Sequence, residues 1–413
     1  MTLPPPATCD VLVIGAGPAG SACAQWLARA GHEVVLVDQH DFPRDKVCGD
    51  GLIPDAHAAL KLLGVHDEVM ARAQRAAHVA CIGPRGGRVE VPGALAVLPR
   101  RELDDILCRA AVAAGARLFT PWRFQSPLFE ADRNAEQVVV GAQLSSGEQL
   151  AEVRARWVVL ATGAVPAAAL AAGVCERQRP SGIALRGYVK NEAMAGRLQA
   201  LEVVWHRKLA PGYGWIFPCR DGVFNIGVGS LQSHRRASTQ APRDFNLREV
   251  FKAFTEFYAP ARELMQGGTL LGELKGAPLR CTLQGAKFSR PGLLVTGEAA
   301  GSTYAFSGEG IGKAMETGLA AARAVVDGLR EQHSDAWVRG AYEAALAALK
   351  PRFDLYEQAN SVNEHPWLAD LVVWRARKSA RVMRRIAGVL DETANPGNLV
   401  SLRGLVKLFV PIR

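Results

Sequence analysis

Hydrophobic positions fall into two kinds of run along this chain. Val11 to Ile14, Val34 to Val37, the start of "WVVLATGA" from Trp157, and Leu293 to Thr296 are continuous apolar stretches without alternation. Such runs predict short strands covered on both faces, as in a parallel sheet. A small-residue stretch from Ser21 to Ala30 separates the first two and reads as a helix, and another small-residue helix opens near Gly310. Between about 180 and 280 the pattern changes. "GIALRGYVK", "ALEVVWH", "GYGWIFPC" and "GVFNIGVGS" alternate and are divided by turn residues, which predicts antiparallel strands with one face on a core. After about 330 the pattern is helical.

The first run leads into G-x-G-x-x-G at Gly15, Gly17 and Gly20, and the second run ends on Asp38. Each part has a physical task. Gly15 permits the tight turn, Gly17 lets backbone approach a pyrophosphate, and Gly20 lets helix pack on strand. The helix N-terminus offers free N–H groups and the positive end of a dipole. Asp38 stands where a carboxylate accepts from ribose hydroxyls, and it would repel a 2′-phosphate, so the order predicts FAD or NAD rather than NADP. Two later elements choose FAD. "WVVLATGA" ends a strand in Thr162-Gly163, and "LLVTGEAAGSTYAFSGEGIGKAMETG" places Glu298 at a strand end before the helix near Gly310. A carboxylate followed by a helix N-terminus suits a polyol chain and a second approach to phosphate. A nicotinamide dinucleotide has no need of this distant element.

Composition and charge narrow the classes. The chain has 413 residues, 49% hydrophobic and 22% charged, with a net charge of +9. That length allows two or three domains. No apolar run reaches the ~18 residues of a spanning helix. The start "MTLPPPATCD" lacks the features of a secretion signal, so a cytoplasmic location is expected. Eight cysteines are scattered without C-x-x-C spacing, which argues against a zinc site or a disulfide framework and predicts no bound metal. The basic balance fits a phosphorylated cofactor or an anionic membrane surface. No nucleic-acid motif accompanies it.

The trio G-x-G-x-x-G, A-T-G and G-[DE]-A-A-G resembles flavoproteins of the glutathione-reductase and p-hydroxybenzoate-hydroxylase type. With no second G-x-G-x-x-G for a separate NAD(P)H domain, the hydroxylase-like branch is favoured. Within it, three segments resemble the geranylgeranyl reductase family. They are "RDKVCGDGL" from Arg44 to Leu52, "RRELDDIL" from Arg100, and "GYGWIFP" followed by Gly227 and Gly229. The resemblance spans roughly residues 8 to 330. It implies an α/β fold made of a Rossmann-type FAD-binding domain (1–75, 98–178, 280–330), an antiparallel-sheet substrate domain (76–97, 179–279) and a helical C-terminal region (331–413). It implies FAD contacts at Ala19, Asp38, Cys48, Gly49, Gly51, Arg100, Gly310 and Ile311. Glu298 stands where the family usually has Asp. Gly15, Gly17, Gly20, Arg44, Lys46 and Gly163 complete the expected cofactor site.

Cys48 reads either as a small wall residue or as a functional position beside flavin and substrate. Arg44 and Lys46 would stabilise a thiolate there, or else offset FAD phosphates or face solvent. Gly49 and Gly51 are expected to leave room beside the isoalloxazine. Tyr213 and Trp215, two apart on a strand, share a face and read as core aromatics or as lining of a substrate tunnel with a catalytic part. "VVWRARKSARVMRRIAGVL" clusters Arg375, Arg377, Lys378, Arg381, Arg384 and Arg385, and "LVSLRGLVKLFVPIR" follows. These read as a solvated helix face or as a peripheral membrane contact.

The resemblance implies a flavin-dependent reductase of carbon–carbon double bonds in a hydrophobic, isoprenoid substrate, drawing electrons from NAD(P)H or from an electron-donor protein. Rival readings are a flavin monooxygenase, a flavin halogenase and a non-catalytic flavin- or lipid-binding protein. Thr162-Gly163 replaces the Asp-Gly usual in hydroxylases. Tyr213 and Phe217 replace the first Trp and the Ile of the halogenase W-x-W-x-I-P.

Overall fold

The computed structural model of the chain describes residues 3–131, 135–231 and 246–394. The first sheet runs Ser289–Arg290, Leu293–Val295, Gln149–Leu160, Thr8–Ile14, Val34–Val37, Arg117–Phe119. Thr8–Ile14 is parallel to both neighbours, with Val11 opposite Val34 on one side and Trp157 on the other. Its unbroken apolar run has a direct cause. Leu12 and Ile14 feed one core with Trp122, Val139 and Leu144, while Val11 and Val13 feed another with Cys23, Leu27, Val325 and Tyr342. The strands Arg123–Ala131 and Gln137–Ser146 extend this sheet as an antiparallel pair leaning on Gln149–Leu160.

Helix Pro18–Arg29 starts three residues before the small-residue stretch predicts. Gly17 is its N-cap and Pro18 its first residue, a position where a missing N–H costs nothing. The turn beneath it is tight. A Cβ at Gly20 would lie 1.7 Å from the Gly15 carbonyl oxygen, and Gly15 itself has φ +101°. Helix Ile311–Arg330 crosses it in backbone contact, since a Cβ on Gly318 would sit 2.2 Å from the Ala19 oxygen.

The second sheet runs Thr269–Leu279, Gly182–Lys190, Val223–Leu231, Gly212–Pro218, Leu201–Val204, Gln74–Ile82, Arg88–Val97, Gly51–Leu52. One pairing departs from the antiparallel expectation: Leu201–Val204 lies parallel to Gln74–Ile82, with Val203 opposite Cys81. Alternation sorts its two faces. Ile216, Ile226, Val228 and Val189 pack under helices Leu247–Phe257 and Ala259–Gln266. Tyr213, Trp215, Phe217 and Val203 point the other way, into a cluster with Ala305, Val362, Leu368 and Ala369.

The helices after residue 330 tie the two sheets together. Helix Asp335–Ala359 lies against the first sheet, where Tyr342 Oη donates to the Val295 carbonyl at 2.6 Å. Trp205 Nε1 donates to Asn363 Oδ1 at 2.8 Å, and Asn363 Nδ2 donates to the Phe306 carbonyl at 2.9 Å. Helices Trp367–Ala376 and Ala380–Leu390 then cover Val89 and Val91 of the second sheet. The segment "LVSLRGLVKLFVPIR" lies outside the described residues.

Candidate active site

Between the sheets lies a chamber of about 710 Å³. It is walled by Gly15, Gly17 and Ala19 from the first turn, by Asp38 at the end of Val34–Val37, and by Arg44, Lys46, Cys48, Gly49, Gly51 and Arg100 from the segments that follow. Gly163, Glu298, Gly310 and Ile311 close the first-sheet side, and Tyr213 and Trp215 face them from the second sheet. Gly20 is absent from this wall and serves the packing of helix on turn instead.

At one end the wall is built for anions. Helix Pro18–Arg29 begins on Gly17 and helix Ile311–Arg330 on Gly310; neither has a side-chain cap or an acid in its first turn. Both therefore present free N–H donors to the chamber. A Cβ on Gly17 would lie 3.5 Å from Arg44 Nη2 and 3.9 Å from Arg100 Nη2, so two guanidinium groups stand over that turn. Asp104, fully buried, aims both: it accepts from Arg100 Nε at 2.6 Å, Arg100 Nη2 at 2.8 Å and Arg44 Nη1 at 3.0 Å. Asp38 accepts from the Ala16 N–H at 2.9 Å and the His40 N–H at 3.1 Å, which fixes its carboxylate at the strand end. Two donor-rich helix ends, two oriented guanidiniums and a fixed carboxylate fit the diphosphate and ribose of a dinucleotide. Glu298 accepts weakly from the Arg280 N–H and Thr303 Oγ1, each at 3.4 Å, and its carboxylate remains available to hydroxyls of a polyol.

Cys48 is half-buried, and burial pushes its thiol above the ordinary range, with Arg100 opposing. This corrects the thiolate expectation: Arg44 is committed to Asp104, and the cation bearing on Cys48 is Arg100. Lys46 lines the chamber, and its carbonyl accepts from Arg186 Nη2 at 3.3 Å. The space that Gly49 and Gly51 leave faces Phe217, whose ring would be 3.3 Å and 3.5 Å from added Cβ atoms. Tyr213 Oη donates to the Ser307 carbonyl, and burial raises the phenol well above its ordinary range.

Two features escape a reading of the chain alone. The first is a buried network behind Cys48. Asn225 Nδ2 donates to the Cys48 carbonyl and to Asp50 Oδ2, each at 2.8 Å, while its Oδ1 accepts from Trp215 Nε1 at 2.9 Å. Tyr188 Oη also donates to Asp50 Oδ2, and Arg186 lies over the Tyr188 ring at 4.2 Å. Burial pushes Asp50 up to about 6 against these hydrogen bonds. Asp50 adopts φ +64°, so the loop is held in a left-handed conformation by the network rather than by glycine. The second is Glu309, in the loop against Tyr213. Its carboxyl is pushed up to about 8 by burial and then by the charge of Asp55. Nearby, Lys313 Nζ meets Glu316 at 2.8 Å, Glu392 at 2.9 Å and Asp55 at 3.5 Å, and Arg352 meets Glu392 at 2.6 Å. Those two cations serve three other carboxylates, which leaves Glu309 protonated at neutral pH.

A protein-family profile described as "FAD binding domain" matches residues 8–261. Menaquinone reductase of Mycolicibacterium smegmatis is 33% identical over 342 residues, covering 79% of each chain. The chain belongs to the geranylgeranyl-reductase-like family of FAD-dependent oxidoreductases. Digeranylgeranylglycerophospholipid reductase 1 of Methanopyrus kandleri is 27% identical over 368 residues, covering 84% of this chain and 92% of its own. The fold is shared with a geranylgeranyl bacteriochlorophyll reductase-like protein from Thermoplasma acidophilum. That structure is 21% identical with a TM-score of 0.71, over 98% of this chain and 96% of the other. In this flavoenzyme the residues of the first-sheet wall, with Arg44 and Arg100, are those that would hold FAD. Among the described residues no helix is long and apolar enough to cross a membrane.

Proposed function

We propose that this flavoenzyme reduces carbon–carbon double bonds in the isoprenoid part of a hydrophobic lipid. The observation that carries the reading is the chamber's gradient. Chamber-facing residues occur on all eight strands of the second sheet, and six neighbouring ones run from Arg186 on Gly182–Lys190 to Val89 and Val91 on Arg88–Val97. Five inter-strand spacings make this about 24 Å, room for an extended chain. Charged groups (Asp45, Lys46, Arg186) sit at one end; Cys81, Val89, Val91, Val373, Ile386 and Leu390 form the other. Cys48, Tyr213, Trp215 and Glu309 lie on the wall between them. A long apolar chain with a polar head fits this arrangement. The names of the relatives at 33% and 27% identity, menaquinone reductase and digeranylgeranylglycerophospholipid reductase, point to polyprenyl lipids, and the former favours a prenylated quinone.

Bound FAD, once reduced by NAD(P)H or an electron-donor protein, supplies a hydride equivalent. The chain supplies the rest. An isolated alkene has no carbonyl for the protein to polarise, so orientation and exclusion of water carry the rate. Trp215, pinned through Asn225, and Tyr213, pinned on Ser307, hold the chain's path against the Cys48 loop. The proton is held on two neutral acids of the wall, the Cys48 thiol and the Glu309 carboxyl; Glu309 is the stronger. The test is an anaerobic turnover of reduced holoprotein with menaquinone and with a geranylgeranyl diether lipid, read by mass spectrometry. A product two mass units heavier whose quinone still absorbs as a quinone supports the reading. Reduction confined to the quinone ring, or a product that forms only with oxygen or halide and carries either, contradicts it.

A further inference from the structure

We propose that the outward face of helices Trp367–Ala376 and Ala380–Leu390 rests on an anionic lipid surface, and that substrate passes from that surface into the apolar end of the chamber. The inference rests on the reading of the chamber as a lipid site, and three observations carry it.

First, helix Trp367–Ala376 presents large aromatics outward, with Asp370 between them already engaged by Arg85. Its inward side buries Leu368, Ala369, Val373 and Ala376. Its outward side leaves Trp367 59% and Trp374 43% exposed. These two tryptophans are seven residues apart, two helical turns, and so share one face. Second, the rim of this face is cationic. Arg377, Lys378, Arg381, Arg384 and Arg385 are exposed, and Leu371 to Leu390 contains no Asp or Glu. Lys378 Nζ lies 4.8 Å from the Trp374 ring centroid, the pairing of a basic group with an interfacial aromatic. Third, the other side of the same two helices is the chamber wall, through Val373, Ile386 and Leu390. One pair of helices thus separates the apolar chamber from the surface rimmed by tryptophan and cations.

Charge and aromatics together select the occupant. An acidic protein would match the cations, but indole rings amid basic residues match the boundary between headgroups and acyl chains of an anionic bilayer. The test is co-sedimentation of the full-length, FAD-loaded protein with phosphatidylglycerol vesicles and with phosphatidylcholine vesicles. The parent should pellet with the former and be released by salt. Neutralising a basic group at such a surface weakens partition about fivefold, so the triple variant Arg381→Gln, Arg384→Gln, Arg385→Gln should bind about a hundredfold more weakly. Trp367→Ser with Trp374→Ser should lose binding and the blue shift of tryptophan emission on vesicle addition. All variants should retain flavin absorbance and reduce detergent-dispersed substrate at the parent rate, while losing rate on vesicle-embedded substrate. Equal partition of parent and variants, or no binding to phosphatidylglycerol at low salt, overturns the docking face. Binding as expected by a protein that reduces no alkene overturns the proposed reaction and leaves the docking face standing.

Discussion

The protonated state of Glu309 gives a quantitative prediction about the reaction. Its carboxyl ionises near pH 8 because it is buried in a group where Lys313 and Arg352 are already engaged by Asp55, Glu316 and Glu392. The acid form is therefore about 90% populated at pH 7 and about 10% at pH 9, a ninefold difference from one ionisation. If Glu309 supplies the proton, the rate of the alkene half-reaction should be flat below pH 7 and fall about tenfold per unit above 8. Glu309→Gln keeps the shape and neutrality of the acid form but has no acidic proton. It should lower the rate about 10² to 10⁴-fold and remove the descending limb. The same shift has a stability consequence of fixed sign. A carboxyl whose folded pKa is raised binds more protons folded than unfolded, so its contribution is full below the unfolded pKa of about 4.5 and is lost as pH rises through 8. The Gln variant should thus gain on the parent progressively as pH rises from about 4.5 to 8 and keep that gain above 8, a readout independent of turnover. The assay is anaerobic stopped-flow reoxidation of the reduced protein by prenylated lipid from pH 6 to 10, with denaturant melts at the same pH values. Parent-like rates in the variant, or a limb that persists without the carboxyl, would refute the reasoning.

Asn225→Ala should orphan two groups, the Cys48 carbonyl and Trp215 Nε1, and leave Asp50 Oδ2 with Tyr188 Oη as its remaining donor. At ~1–3 kcal/mol for each orphaned group, denaturant melts should show a loss of about 2 kcal/mol or more. A change below about 1 kcal/mol would mean that water replaces the amide. Arg100→Gln should weaken FAD binding about tenfold to a hundredfold by fluorescence titration, since it removes one of the two guanidiniums over the Gly17 turn. Unchanged affinity would place the phosphates elsewhere. Cys48→Ala should keep FAD bound and slow only the alkene half-reaction, by about tenfold or more if the thiol touches the reacting chain. A full rate would make Cys48 a plain wall residue.

The parts of the fold that depend on local sequence are legible in the residues themselves. Val11–Ile14 is continuous because alternate residues feed two cores, and the glycines at 15, 17 and 20 each answer a close approach of backbone. The features that local pattern does not carry are consequences of distant chain segments meeting. The parallel pairing of Leu201–Val204 with Gln74–Ile82 joins strands more than a hundred residues apart, which alternation alone does not encode. The thiol's surroundings depart from the thiolate expectation for the same reason. Arg44 and Lys46 are neighbours of Cys48 in sequence, yet Arg44 turns to Asp104, and Arg100 arrives from another helix. Asp50 and Glu309 both stand in recognisable glycine-rich segments. Their raised ionisation arises from burial, joined at Glu309 by the charge of Asp55, and it prevails over the opposing pull of Tyr188 and Asn225 on Asp50 and of Lys313 on Glu309; of these partners only Lys313 is local.

The central claim is that the chamber presents an isoprenoid double bond to reduced flavin. Its most direct measurement is anaerobic mixing of the photoreduced protein with a prenylated lipid and, separately, with the same lipid fully saturated. The account predicts that visible flavin absorbance returns with the unsaturated lipid, in proportion to alkene consumed, and stays bleached with the saturated one. Reoxidation by both alike, or by neither until oxygen is admitted, would contradict it.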